Sequence, residues 1–274
     1  MACHGNLFEA GNCGWTRPYT GHGVQFNHPE SFAGYRGGVT QPSPTLPAII
    51  GELVAFLRNP SLLPPSGWRG PGNPRRWIWL TALQVVILIG VLLPLLRMWQ
   101  SAFGLASPEA FGRVPESWLV PTVVLLAPIL EELLFRGWHS GTRAALWLLG
   151  CAIGVAAALA LVLAPGYQSA GLGLLLVAVV AAPACWWKLR RNRQPLRGFA
   201  AAFPVIFYVT AAVFALVHLS NYPNPGLLSL PLVLPQLWAG LMLGYIRQRV
   251  GLGAAIATHM SANACTVALA LILS

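Results

Sequence analysis

The chain has 274 residues, of which 56% are hydrophobic and only 9% are charged, whereas roughly a quarter of the residues of a soluble domain are charged. This composition excludes a soluble globular domain, and several apolar runs reach the ~20 residues that cross a bilayer. The formal net charge is +10. Basic residues between apolar segments are typical of cytoplasmic loops, so the charge indicates topology and predicts no nucleic-acid partner.

The N-terminal part is predicted to lie outside the membrane core. Residues 1–45 are rich in Gly, Pro and Asn and have no hydrophobic periodicity, which predicts a disordered tail. Residues 46–76 form a second region, an interfacial helix followed by a basic linker. The helix over 46–58 is too short to cross a bilayer, but one of its faces is apolar. That face carries Ile49, Leu53, Phe56 and Leu57.

Seven apolar segments predict an all-α, polytopic helical bundle, and the membrane domain is expected over 77–274. The segments are 77–96, 117–135, 144–164, 169–187, 199–220, 227–246 and 252–273. Basic residues concentrate on one side of these spans, above all in the loop 188–198, so the positive-inside rule predicts that this loop and the N-terminus are cytoplasmic. Sixteen Arg against one Lys indicate a GC-rich bacterial genome, hence the bacterial inner membrane.

The candidates for chemistry are the ionisable residues inside apolar segments, because a charged group at membrane depth is costly and is a functional hypothesis by default. Glu131 and Glu132 lie near the end of the second segment, and no acidic residue follows them. The later segments contain two histidines, His218 and His259, together with Asn263.

Three pairs of residues stand four positions apart and therefore share a helical face. They are Glu132 with Arg136, Phe214 with His218, and His259 with Asn263. The first pair predicts an ion pair that leaves Glu131 free. A free carboxylate can act as general base on a water beside a histidine, while a second histidine and an amide donate to an oxyanion. Taken singly, each pair is as typical of an interfacial cap or an interhelical hydrogen bond.

In this order the three motifs resemble the signature of the CPBP intramembrane proteases, also called the CAAX protease and bacteriocin-processing or ABI family. The resemblance covers residues 117–273. It implies that Glu131 activates a water together with His218. The implied oxyanion site is His259 with Asn263, and the implied supporting residues are Glu132, Arg136 and Phe214. The family is regarded as dependent on glutamate rather than on a metal, so no cofactor is expected.

Two features depart from the family pattern. Two additional apolar segments separate Glu131 from His218, which predicts an inserted helical hairpin over 144–187. Counting spans also puts Glu131 and His218 about 15–20 Å apart in depth at 1.5 Å per residue. A shared site therefore requires a broken or re-entrant segment, as the prolines before the glutamates allow, or different segment boundaries.

The resulting prediction is an intramembrane endopeptidase that uses a glutamate-activated water to cleave a membrane-tethered protein or peptide in the lipid bilayer. The resemblance allows prenylated CAAX tails, leader peptides or C-terminal sorting signals as substrates. A sorting tail of exported bacterial proteins is favoured, since bacteria generally lack prenylated CAAX proteins. Two alternatives stay open: a zinc-dependent hydrolase built on one Glu and two His, and a non-catalytic scaffold, immunity protein or transporter.

Overall fold

The computed structural model describes residues 44–64, 66–109 and 115–273. The tail predicted over 1–45 lies outside them except for its last two residues. Within the described part every regular element is a helix. The helices are α1 Leu46–Arg58, α2 Asn73–Phe103, α3 Ser117–Arg136, α4 Arg143–Leu163, α5 Gln168–Leu189, α6 Phe199–Asn221, α7 Leu227–Arg249 and α8 Leu252–Leu273.

Helices α2 to α8 are each long and apolar enough to span a membrane. The predicted all-α, polytopic membrane bundle with seven spans is therefore confirmed, and the chain is an integral membrane protein. The observed spans begin and end close to the apolar segments read from the sequence. The largest difference is α2, which has 31 residues because its helix continues beyond the apolar run at both ends.

Two of the spans contain a π-helical turn just before a proline. α2 contains a π-helical turn over Leu88–Leu92 and α3 contains one over Thr122–Leu126. Pro94 and Pro128 each follow two residues after the turn. A proline inside a helix lacks an N–H and clashes with the carbonyl four residues earlier, and a wider turn relieves the clash. The predicted break before the glutamates is thus a π turn within a continuous helix.

The core lies where α6 packs against α7. Phe199, Phe203 and Phe207 form a buried stripe along one face of α6. Opposite it on α7 is Gly244, where an added Cβ would stand only 2.6 Å from Cε2 of Phe207. Gly240 meets Ala211 in the same way, at 3.0 Å. Small residues at these positions let the two helix backbones approach closely, which is the main means of packing helices in lipid.

The predicted short helix is present as α1, and its apolar face packs against the bundle. Ile49, Leu53 and Phe56 are buried, and Phe56 contacts the rings of Phe207 and Tyr245. The choice of this face from the sequence is confirmed for these three residues. The position of α1 at the membrane interface stays a prediction.

Glu52, at the edge of the same face of α1, forms ion pairs with the bundle. Arg76 donates to both carboxylate oxygens of Glu52, at 3.0 and 3.2 Å, and Arg249 lies 3.2 Å from it. Partial burial by itself raises the pKa of Glu52, but these two guanidinium groups outweigh it and hold the pKa below its ordinary value. The ion pairs join α1 to α2 and α7.

Helices α4 and α5 pack chiefly against each other and are otherwise largely exposed. Gly171 of α5 sits against the backbone of Ala158 and Val162 in α4, and Nε1 of Trp147 donates to the carbonyl of Ala182 at 3.3 Å. An apolar cavity of about 430 Å³ lies between α4, α3 and α6. The interpretation of this hairpin as an insertion stays a prediction.

Candidate active site

Two adjacent glutamates on α3 occupy different environments, because consecutive helical side chains point about 100° apart. The Glu132 side chain is fully buried, whereas 28% of the Glu131 side chain is exposed. Nη1 of the buried Arg136 lies 2.7 Å from Oε1 of Glu132. The ion pair predicted from the i,i+4 spacing is therefore confirmed, and it leaves Glu131 without this cation.

His259 on α8 contacts both carboxylates. Its Nδ1 lies 2.9 Å from Oε1 of Glu132, and its Nε2 lies 3.8 Å from Oε2 of Glu131. An ionised carboxylate can accept hydrogen bonds but cannot donate them, so Nδ1 of His259 is the donor to Glu132. Nε2 is then directed towards Glu131.

His218 approaches Glu131 from α6. Its Nε2 lies 3.9 Å from Oε2 of Glu131, and its Nδ1 lies 2.7 Å from the carbonyl oxygen of Phe214. Because a carbonyl oxygen only accepts, Nδ1 donates this bond. In the neutral ring Nε2 then carries a lone pair directed to the exposed carboxylate. Two imidazole nitrogens thus face Glu131 at distances just beyond a direct hydrogen bond.

The buried ring of Phe214 packs against the charged and imidazole groups of the site. The guanidinium carbon of Arg136 lies 4.0 Å from the centre of its ring, a distance at which a cation and an aromatic face attract. The rings of His218 and His259 lie 4.9 and 6.1 Å away. Phe214 therefore contacts one residue from each of the three sequence motifs.

Asn263 stands one turn after His259 on α8. Its Nδ2 donates to the carbonyl oxygen of Val123 in α3 at 2.9 Å. An amide nitrogen carries two hydrogens, so this bond leaves one for another acceptor. Asn263 is thus tied to the helix that carries Glu131.

Among the described residues, no group of three or more His, Cys, Asp and Glu side chains is arranged to hold a metal ion. Glu131, His218 and His259 lie close together but do not form such a group. Oε2 of Glu131 lies 3.8 to 3.9 Å from each Nε2.

The profile of the type II CAAX prenyl endopeptidase Rce1-like family matches residues 113–265, more than half of the 274 residues. The chain belongs to this family. The predicted resemblance to the CPBP proteases is therefore confirmed, and the match contains all seven candidate residues. No curated protein and no solved structure matches the chain.

Membership of the Rce1-like family supports an intramembrane endopeptidase, a hydrolase that lies in the bilayer and acts on a membrane-tethered substrate. The roles assigned to the individual residues stay predictions. The matched range also contains α4 and α5.

The expected difference in depth between Glu131 and His218, about 15–20 Å at 1.5 Å per residue, is wrong. Ring contacts align the end of α3 with α6, since Phe135 meets Phe214 at 5.1 Å and His139 meets Phe203 at 5.8 Å. Glu131 lies one turn before Phe135, and His218 lies one turn after Phe214. The two residues therefore lie at the same height along the bundle. The chain after α3 then continues along α6 as far as Phe199, which Trp138 meets at 6.2 Å.

Residues 137–142 form a partly buried turn between α3 and α4. Two side chains of α7 bind carbonyl groups at the end of α3 and in this turn: Nε of Arg247 donates to Arg136 at 3.2 Å, and Nε2 of Gln248 donates to His139 at 3.3 Å. The Arg136 carbonyl also accepts from the N–H of His139 at 3.2 Å, so Arg247 adds a second donor there, and Gln248 supplies a side-chain donor within the turn. Sequence reasoning missed both residues, because they follow the apolar run 227–246 and read as the start of a polar loop.

His139 is buried within this turn and faces two cations. Burial lowers its pKa most strongly, and the charges of Arg136 and Arg247 lower it further, to about 3. The ring is therefore neutral near pH 7. Its ring nitrogens have no hydrogen-bond partner among the described residues, so His139 packs as an uncharged ring between Trp138 and Phe203.

Proposed function

We propose that the chain is a glutamate-dependent intramembrane endopeptidase whose general base is Glu131. The observation that carries the proposal is the different use of the two carboxylates. Glu132 is buried and bound to Arg136 and His259, whereas Glu131 is partly exposed with Nε2 of two histidines within 3.9 Å. A base must be both open to water and within reach of hydrogen-bonding partners, and Glu131 meets both conditions.

In the proposed reaction Glu131 takes a proton from a water while Nε2 of His218 accepts a hydrogen bond from the same water. The water oxygen then attacks the carbonyl carbon of the scissile peptide. The free hydrogen on Nδ2 of Asn263 donates to the resulting oxyanion. Nε2 of His259 donates a second hydrogen bond to the oxyanion when the ring carries both protons, because Nδ1 is bound to Glu132. Glu131 finally passes the proton to the leaving amine nitrogen.

The proposed substrate is a membrane-tethered peptide, in particular the C-terminal sorting tail of an exported bacterial protein. The family match supports a membrane-tethered substrate, and the location of the candidate site on membrane-spanning helices agrees with it. We further propose that the protein lies in the bacterial inner membrane with its N-terminus in the cytoplasm. No metal or other cofactor takes part in the proposed reaction.

The test is cleavage of epitope-tagged bacterial proteins with C-terminal membrane anchors, each co-expressed with the chain. Glu131→Gln keeps the size of the side chain and most of its hydrogen bonds but cannot take up the proton. We expect it to abolish cleavage of any substrate that the wild type processes. Glu52→Gln, the same change at a glutamate of α1 that contacts none of the candidate residues, should leave cleavage intact.

A chelator separates the proposal from its alternatives. Wild-type cleavage should continue in chelator, whereas a zinc-dependent hydrolase would lose activity and recover it with added Zn²⁺. A scaffold or transporter would cleave none of the substrates. Full cleavage by the Glu131→Gln protein would reject Glu131 as the base.

A further inference from the structure

The π turn of α3 leaves one carbonyl without a backbone donor. The N–H of Ala127 donates to the carbonyl oxygen of Thr122, five residues earlier. In the same five-residue pattern, the N–H that would bind the Val123 oxygen belongs to position 128. That residue is Pro128, which has no N–H. The helical donor four residues after Val123 is Ala127, and it is already bound to Thr122. The backbone of α3 thus leaves the Val123 oxygen open.

Asn263 supplies the missing donor. Its Nδ2 lies 2.9 Å from the Val123 oxygen, and both residues are only partly exposed. In the interior of a membrane bundle an unpaired carbonyl has no water to bind, so a side-chain donor at this point is strongly favoured. The bond joins α8 to α3 about two turns before Glu131.

We propose that Pro128 is a positioning residue for Asn263. By withholding its N–H, Pro128 keeps the Val123 oxygen as a fixed acceptor for one hydrogen of the Asn263 amide. The amide group is planar, so fixing one hydrogen restricts the direction of the other. Because Val123 and Glu131 belong to one helix, the same bond sets the distance between the amide and the carboxylate. The catalytic importance of this bond rests on the proposed function, in which the second hydrogen serves the oxyanion.

The chain contains a matched control for this arrangement. The π turn Leu88–Leu92 in α2 has the same pattern: the N–H of Leu93 donates to Leu88, and Pro94 occupies the next position. None of the candidate site residues lies on α2. Pro94→Ala therefore restores a backbone N–H at an equivalent π turn without touching Asn263.

The first measurement does not depend on activity. Pro128→Ala returns an N–H to α3, so a backbone donor competes with Asn263 for Val123. We expect the loss of thermal stability caused by Asn263→Ala to shrink by more than half in the Pro128→Ala background. In the Pro94→Ala background the effect of Asn263→Ala should be unchanged. Additive effects of Pro128→Ala and Asn263→Ala would overturn the proposal.

The second measurement is the rate of cleavage of a substrate that the wild type processes. Pro128→Ala should lower kcat roughly 10- to 100-fold, as a displaced catalytic group does, while KM changes little. Pro94→Ala should leave kcat within about twofold, since it displaces no group that contacts the reacting atoms. Wild-type kcat in a folded Pro128→Ala protein would overturn the positioning role. Pro128→Val, which also restores the N–H and fills more of the ring's volume, serves if the alanine variant does not fold.

The two proposals fail in different ways. If the glutamate mechanism is wrong, the wild type cleaves nothing or Glu131→Gln stays active. If the role of Pro128 is wrong, the wild type cleaves through Glu131 but the stability effects are additive or kcat is unchanged.

Discussion

At the scale of residues, burial distinguishes two glutamates that are identical in chemistry and adjacent in sequence. Glu132 makes its two bonds inside the protein, to Arg136 and His259, and has no exposed surface. Glu131 keeps more than a quarter of its side chain open. The first carboxylate is thus suited to hold the site together and the second to react, although the sequence shows only two neighbouring acids.

We expect the two glutamates to differ sharply in their effect on stability. Glu132→Ala leaves the guanidinium of Arg136 buried without its carboxylate, and removing one partner of a buried pair costs about 3–5 kcal/mol. Glu131→Ala removes a partly exposed group and should cost less than about 1 kcal/mol. Thermal unfolding of both variants in detergent measures the difference. Equal losses would show that Arg136 finds another partner.

The neutral state of His139 gives a second prediction at this scale. Its pKa of about 3 in the folded protein lies below the value near 6.5 of an unfolded chain. Between these values the unfolded state binds more protons. The stability that depends on neutral His139 is therefore complete above pH 6.5 and is lost as the pH falls towards 3.

Replacing His139 with Leu should reduce this pH dependence. Between pH 6.5 and 5 the wild type should lose up to roughly 1 kcal/mol per pH unit more than the variant, because Leu cannot bind a proton. The Glu52 carboxyl stays ionised in this window, since its pKa is lowered. Unfolding temperatures of the two proteins across the window are the measurement. Parallel pH curves would mean that His139 is protonated in the folded state.

At the scale of elements, the alignment of α3 with α6 and α8 brings the site residues together. Hydropathy marked Arg136 as the end of a span, because a charged residue normally lies at the membrane surface. In the fold the guanidinium of Arg136 pairs with Glu132 and packs on the ring of Phe214, so this charged side chain is buried within the bundle. Local spacing predicted the ion pair, but the depth of the pair depends on contacts with α6 and α7 that sequence distance does not reveal.

The backbone of the turn over residues 137–142 requires glycine at position 141. Gly141 has φ of +65°, and an added Cβ would stand 2.3 Å from Cδ1 of Phe199. Gly198 has a similar φ of +79° but open space around it, so it is a matched control. Gly198→Ala should cost about 1–2 kcal/mol for the left-handed backbone alone. Gly141→Ala should cost a further 1–3 kcal/mol, roughly, for the clash with the ring.

Thermal unfolding of the two alanine variants separates the cost of the left-handed backbone from the cost of the clash with the Phe199 ring. A larger loss for Gly141→Ala is the expected order. If Gly198→Ala proved equal or worse, Phe199 would have to move aside freely, and the turn would be less tightly packed than its contacts indicate.

At the scale of the whole molecule, the number of spans and the family were predictable because both depend on local patterns. Apolar runs of membrane length predict helices directly, and the three motifs need only a four-residue spacing. The contributions of Arg247 and Gln248 were not predictable, because each bonds to a carbonyl more than a hundred positions away. The open carbonyl of Val123 was predictable only in part. Pro128 is visible in the sequence, but the carbonyl that it leaves open depends on the hydrogen-bond register of the helix.

The described loops fall into two groups that lie at opposite ends of the bundle. Leu196 donates to Gly141, and Gln248 binds both His139 and Leu63, which places these loops at one end. At the other end the N–H of Glu109 donates to the carbonyl of Asn221. The loop 188–198 joins the first group, which contains most of the basic residues. The positive-inside rule therefore predicts that this end is cytoplasmic.

Cysteine labelling in intact cells tests this orientation. In a variant whose native cysteines are replaced, Arg193→Cys should resist an impermeant thiol reagent until the membrane is permeabilised, because the reagent does not reach the cytoplasm. Ser107→Cys, in the exposed loop at the opposite end, should react in intact cells and is the matched control. Labelling of the cysteine at position 193 from outside, with none at position 107, would invert the topology. The N-terminus would then lie outside, and the positive-inside rule would have failed for this chain.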